Sequence, residues 1–192
     1  MCGIFGYIGD KKKEVALMTN KALCELEYRG YDSWGIASET DTGMFATKAV
    51  GKISGASITP LKGVMGKMGI GHSRWATHGR VTEANAHPHF NAAKTIAVIH
   101  NGIVENHEEI RMFLREKLGA AAAGLFISET DTEVIPHLIE YFISHEKKNF
   151  ETAFVEAGRM LEGRFAVVVM KLGEPYLLAM RDGSPLVVGK GI

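Results

Sequence analysis

Apolar residues along the chain form short runs that alternate with longer stretches of helical spacing. Residues 3–8 make the first apolar run, ended by Gly9-Asp10, and read as a strand. Between Lys12 and Glu27, the residues Val15, Met18, Ala22 and Leu26 recur at helical intervals and define one buried face. Residues 34–39 and 44–50 predict a hairpin turned at Asp41-Thr42-Gly43. A glycine-rich section leads to a short strand near 68–72, and residues 74–91 carry no period. A loop of that length within a compact domain is usually functional or disordered.

The second half is more regular. Thr95 to His100 is a buried strand ending at Asn101-Gly102, and Ile110, Phe113, Leu114 and Leu118 mark a helix. Ala and Gly over 119–124 predict a turn or a frayed helix end. A third helix starts at about 132, because Pro136 is tolerated only near its first turn. A fourth helix spans about 150–161, and strands at 164–171 and 175–181 join at Gly173-Glu174. Strands cluster between helices without strict alternation, which predicts a layered α+β domain of antiparallel sheets with helices packed outside them. The chain ends just after another apolar run, Pro185 to Val188, and reads as a cut from something longer.

Composition narrows the function classes. The 192 residues suit one domain, with 46% hydrophobic and 23% charged residues as in ordinary globular proteins. Lys+Arg and Asp+Glu balance at 22 each, which gives no electrostatic case for nucleic acid or membrane binding. The two cysteines, Cys2 and Cys24, form no CxxC pair, so neither a disulfide framework nor a zinc site is predicted, and a reducing cytoplasm is expected. The N-terminal charge order is the reverse of a signal peptide's, and no apolar stretch approaches the roughly 20 residues of a membrane span.

Cys2 sits where removal of Met1 would place a thiol and a free α-amine on one residue. An α-amine with a pKa of roughly 7.7–8.0 can act as base for the thiol. A retained Met1 would acylate that nitrogen, which leaves a non-catalytic binding domain as the other reading. Gly-x-Ser-x-Gly, dinucleotide and Walker signatures are absent. His87-Pro88-His89 lacks a Cys or acidic ligand at a recognised metal spacing, so loop histidines are the better reading. His72-Ser73-Arg74-Trp75-Ala76-Thr77-His78-Gly79 has what a small zwitterion needs, because arginine pairs bidentately with a carboxylate. Asn101 and the Gly102 N–H could aim two donors at an oxyanion, although Asn-Gly is also a common turn pair. Asp131 could bind an ammonium group or simply cap the following helix.

In this order, the motifs resemble the class II glutamine amidotransferases, whose glutaminase domains are N-terminal nucleophile hydrolases. The resemblance rests on Cys2-Gly3-Ile4, Glu27-Tyr28-Arg29-Gly30-Tyr31-Asp32-Ser33, the Arg74 octet, Asn85-Ala86-His87-Pro88-His89, His100 to Asn106, Ser128 to Val134, and Gly183-Ser184-Pro185-Leu186. It spans essentially the whole chain and favours the branch whose glutaminase domain precedes sugar-isomerase domains. The amidophosphoribosyltransferase group usually differs at Tyr28, Trp75 and His87. The resemblance implies one glutaminase domain over 1–192, folded as a four-layer αββα sandwich of two mainly antiparallel sheets.

It further implies a role for each matching residue. Cys2 would attack the carboxamide of L-glutamine, with Asn101 and Gly102 as oxyanion hole. Arg74 would hold the substrate carboxylate and Asp131 its amino group. Trp75, Thr77, His78 and His87 would line the pocket and its cover loop, and Arg29 would support the site. No metal or organic cofactor is implied. The partners implied are the ammonia-accepting sugar-phosphate domains of a full-length, homo-oligomeric enzyme, with Trp75 gating ammonia. Trp34 departs from the family's usual alanine, so its ring must be absorbed by neighbouring packing.

Overall fold

A computed structural model describes residues 2–76 and 79–191. Two four-stranded antiparallel sheets stack face to face between helices. The first sheet holds β1 (Gly3–Glu14), β2 (Ser33–Thr40), β3 (Gly43–Val50) and β4 (Met65–Arg74), in the order β1-β4-β2-β3. The second holds β5 (His89–Phe90), β6 (Ile96–Gly102), β7 (Phe165–Lys171) and β8 (Leu177–Asp182), in sequential order. Helix α1 (Val15–Leu26) covers the first sheet. Helices α2 (His107–Leu118), α3 (Val134–Ser144) and α4 (Phe150–Arg159) lie on the outer side of the second.

Strand alternation divides the core into three apolar layers. Ile96, Val98, Phe165, Val167 and Val169 point to α2–α4, where they meet Ile110, Leu114, Leu138 and Phe154. Ala97, Ile99, Val168 and Met170 point the other way and meet Ala37, Met68 and Ile70 between the sheets. Ala16 and Leu23 of α1 pack with Trp34, Ile36, Ile53 and Leu61 in the third layer. A period of two turns successive residues to opposite faces, and complete burial of each large side chain stabilises by about 1.5–3 kcal/mol. Trp34 is therefore absorbed by the α1 layer, on the face of β2 opposite the inter-sheet core.

Three boundaries differ from the sequence reading. α1 begins at Val15 rather than Lys12, and β1 continues to Glu14 past an irregularity in register between Ile8 and Lys13. Lys11-Lys12-Lys13 offers a helix nothing to bury, and Lys12 instead pairs with Asp41 at the hairpin turn. β4 is ten residues long because it pairs with both β1 and β2. Gly69 and Gly71 hid its period: α1 lies so close that a Cβ on Gly71 would fall 2.6 Å from Thr19 Cγ2. Finally, the loop over 74–91 contains β5, paired with Ala97 and Val98 of β6. Pro136 does lie in the first turn of α3, which follows a 3-10 turn at Asp131–Glu133. Among the described residues no helix is long and apolar enough to cross a membrane.

Candidate active site

Pairing of β1 with β4 puts Gly3 opposite Ser73, which brings Cys2 beside Arg74 and Trp75 at the sheet's end. The Trp75 N–H donates to the Cys2 sulfur at 3.2 Å, and the thiol lies 3.6 Å from the Trp75 carbonyl. Two donors fix the Cys2 carbonyl: Arg29 Nε at 3.3 Å and Asn101 Nδ2 at 3.1 Å. Arg29 ends the 3-10 turn that follows α1, whereas Asn101 reaches across from β6 of the other sheet. Burial pushes the Cys2 thiol up in pKa, while the Trp75 N–H and the positive charge of Arg74 pull it down.

Arg74 is buried, and its Nη1 donates to the Arg80 carbonyl at 3.2 Å. Burial lowers its pKa, opposed by nearby Cys2, Asp131 and Asp32. Asp131 is held by the Val104 N–H, which donates to Oδ2 at 2.7 Å, and Thr132 Oγ1 lies 3.4 Å from Oδ1. Gly102 has φ +117°, and a Cβ there would lie 2.0 Å from the Arg164 carbonyl oxygen. That close approach and left-handed backbone leave glycine as the residue that fits.

Behind the thiol stand four buried imidazoles. His72 and His87 stack with centroids 4.1 Å apart, and His89 meets His87 edge-on at 4.8 Å. His87 Nε2 and His100 Nδ1 converge on Thr132 Oγ1 at 2.9 and 2.8 Å. Burial lowers the pKa of all four, His72 to about 3 and His87 and His89 well below the ordinary value. At His100 the Asp131 carboxylate opposes that shift. The rings are therefore neutral near pH 7. Among the described residues no group of three or more His, Cys, Asp and Glu is placed to hold a metal ion.

One cleft is lined by Cys2, Arg74, Trp75, His87, Gly102 and Asp131, all singled out from sequence, and by His100, Thr130 and Thr132, which were not. Asn101 and Arg29 meet Cys2 through its carbonyl. Thr77 and His78 lie outside the described residues, as does Met1. Trp75 stands 44% exposed at the rim, edge-on to Tyr31 at 5.4 Å. Asp32, also missed, holds the loop that leaves β4: its Oδ2 accepts from the Ala76 N–H at 2.9 Å, and its own N–H donates to the Arg74 carbonyl. Glu129 and Asn85 tie the next part of that loop to the Asp131 segment through Asn85 Nδ2 to Glu129 Oε2, 3.0 Å. Each missed residue sits inside a motif already quoted, within three positions of a residue that was chosen.

A family model described as "Glutamine amidotransferase domain" matches residues 72–191. The chain belongs to the glutamine amidotransferase family. Its full length aligns at 44% identity with proteins named glutamine–fructose-6-phosphate aminotransferase (isomerizing) from Clostridium perfringens and Sulfurisphaera tokodaii. The chain spans about a third of those relatives, 30% and 32% respectively. Among solved structures, the glutamine phosphoribosylpyrophosphate amidotransferase of B. subtilis superposes with TM-score 0.69 at 26% identity, over 89% of this chain and 35% of that one. A second, titled the allosteric regulatory enzyme of purine biosynthesis, gives 0.73 at 29% identity, over 88% and 35%. The amidotransferase fold of two antiparallel sheets between helices is thus the one these strands form.

Proposed function

We propose that this amidotransferase domain hydrolyses the side-chain amide of L-glutamine to glutamate and ammonia, as the glutaminase half of a glutamine–fructose-6-phosphate aminotransferase. One observation carries the reading: Cys2, Arg74, Gly102 and Asp131 line a single cleft, and Asn101 Nδ2 reaches the Cys2 carbonyl from the opposite sheet. The choice of branch is supported by the 44% identity to the sugar-phosphate enzymes over the whole chain, against 26–29% to the phosphoribosylpyrophosphate type and its neighbour.

Arginine and carboxylate hold the two ends of the amino acid. Arg74 pairs with the α-carboxylate and Asp131 with the α-ammonium, which leaves the side-chain amide to reach Cys2. Removal of Met1 frees the Cys2 amine, which takes the thiol proton as sulfur adds to the carboxamide carbon. Asn101 Nδ2 and the Gly102 N–H receive the oxyanion; one such donor is worth about 2.7–4 kcal/mol. The tetrahedral adduct then expels ammonia, with the proton returned to the leaving nitrogen. Water next attacks the γ-glutamyl thioester, which releases glutamate and restores the thiol. His87 forms the inner wall, Trp75 stands at the rim and Arg29 holds the Cys2 carbonyl, while Thr77 and His78 keep only the substrate-binding role that the resemblance implies. Further domains, beyond the third of the relatives' length seen here, would use the ammonia on a sugar phosphate, with Trp75 at the exit.

Glutamate release from glutamine, with intact mass recorded on the same sample, tests this reading. A sample lacking Met1 is expected to turn over glutamine. A sample lacking Met1 that binds glutamine and releases no glutamate would leave only a binding domain.

A further inference from the structure

An asparagine amide has two unlike ends: its oxygen accepts, its nitrogen donates, and half a turn about the last torsion exchanges them. Only the nitrogen is of use to a developing oxyanion. Asn101 Oδ1 lies 3.0 Å from His72 Nε2, and Asn101 Nδ2 lies 3.1 Å from the Cys2 carbonyl. His72 Nε2 is also 3.0 Å from the His100 backbone carbonyl. A carbonyl oxygen carries no proton, so Nε2 must carry it. The His100 carbonyl sets the His72 tautomer, and the tautomer sets which end of the Asn101 amide faces Cys2.

This bond also spans the layers. His72 shares a face of β4 with Met68 and Ile70, and Asn101 shares a face of β6 with Ala97 and Ile99, so the pair closes the site end of the inter-sheet core. His72 is fully buried, and its Nδ1 has no hydrogen-bond partner. A buried orphan nitrogen is costly, and the ring keeps a single productive contact edge, Nε2. Stacking on His87 fixes the plane of the ring.

We propose that His72 is a positioning residue for glutamine hydrolysis: its Nε2–H, anchored on the His100 carbonyl, holds the Asn101 amide with Nδ2 turned to the reacting centre. The inference rests on Asn101 being an oxyanion donor, and its test separates the two. Steady-state glutaminase kinetics are measured for Asn101→Ala, His72→Leu, His72→Gln, His72→Asn and the double variant His72→Leu/Asn101→Ala. Asn101→Ala is expected to lower kcat by about 10²–10³-fold. His72→Leu is expected to lower kcat by about 10–100-fold, with KM for glutamine within about threefold. His72→Gln, whose amide nitrogen can occupy the Nε2 position, is expected to stay within about fivefold of the parent. His72→Asn stops near the Nδ1 position, is expected to fall with the leucine variant, and replaces it if that variant does not fold. On the Asn101→Ala background the His72 change is expected to cost less than about threefold.

Equal losses on both backgrounds, a KM that rises with the fall in kcat, or a glutamine variant no better than asparagine would each overturn the role of His72. Full activity in Asn101→Ala would instead remove the oxyanion assignment on which it rests.

Discussion

Trp75 grips Cys2 with both ends of its own backbone: its N–H donates to the sulfur at 3.2 Å, and its carbonyl lies 3.6 Å from the thiol. The Cys2 thiol is thus held by the end of β4, the strand that also carries Arg74, and by no imidazole among the described residues. The proposed substrate anchor and attacking atom are set by one piece of backbone. On the proposed reading, the base that activates the thiol is the amine of Cys2 itself, freed by removal of Met1.

Replacing the sulfur separates binding from chemistry. Cys2→Ala is expected to abolish glutamate release while glutamine binding, followed by calorimetry, stays measurable, because Arg74 and Asp131 are untouched. Turnover comparable to the parent would refute the nucleophile assignment.

Lysine at position 74 keeps the charge and loses the planar fork. Arg74→Lys is expected to raise KM for glutamine by about tenfold or more, the equivalent of about 1.4 kcal/mol, with a smaller effect on kcat. An unchanged KM would count against carboxylate binding.

Trp34 points into the α1 layer rather than toward the cleft. Trp34→Ala is expected to reduce the free energy of unfolding by about 3–5 kcal/mol. The KM of the remaining folded enzyme should be that of the parent. A variant as stable as the parent, or one with an altered KM, would show that the ring does more than fill the core.

Acid should unfold this protein early. Burial keeps His72 near a pKa of about 3, whereas an unfolded chain's histidine titrates near about 6.5. Between those values the unfolded chain binds a proton that the folded chain refuses. Stability is therefore unaffected by this group above about pH 6.5 and falls as the pH drops, by up to about 1.4 kcal/mol per unit per histidine. His87, His89 and His100 are lowered by burial too, and act with the same sign. Urea denaturation between pH 6 and 5 is expected to lose more than about 2.7 kcal/mol per unit, an uptake of at least two protons. A slope of one proton or less would mean that the imidazoles are not buried neutral in solution.

Much of this was legible in the chain. The run from Ile96 to His100 is a central strand, as read. Of the α1 face drawn through Val15, Met18, Ala22 and Leu26, only Val15 is fully buried; the helix turns Ala16, Thr19, Asn20 and Leu23 inward and leaves the other three half-buried. The strand that matters most to the site was only half seen, because Gly69 and Gly71 give β4 no apolar signal on the α1 side. Cys2, Arg74, Asn101 and Asp131 were chosen because each sits in a short motif, and local chemistry travels with local sequence. The contacts of His72 with Asn101 and of Thr132 with His87 and His100 were not legible. They depend on how two sheets lie over one another, and strand periodicity fixes which face a residue takes but not what it meets across the gap.

The apolar layer between the sheets gains a second meaning from this arrangement. Cys2 and Arg74 ride on one sheet, Asn101 and Gly102 on the other, and Ala37, Ile99 and Val168 are among the side chains that set their spacing. Interiors are close-packed, so a methyl group added or removed there shifts one layer against its neighbour. Such a slip breaks no rung of either ladder, yet it changes the gap between Cys2 and the proposed oxyanion donors. Side-chain volume in that layer acts as a spacer gauge for the chemistry at its edge.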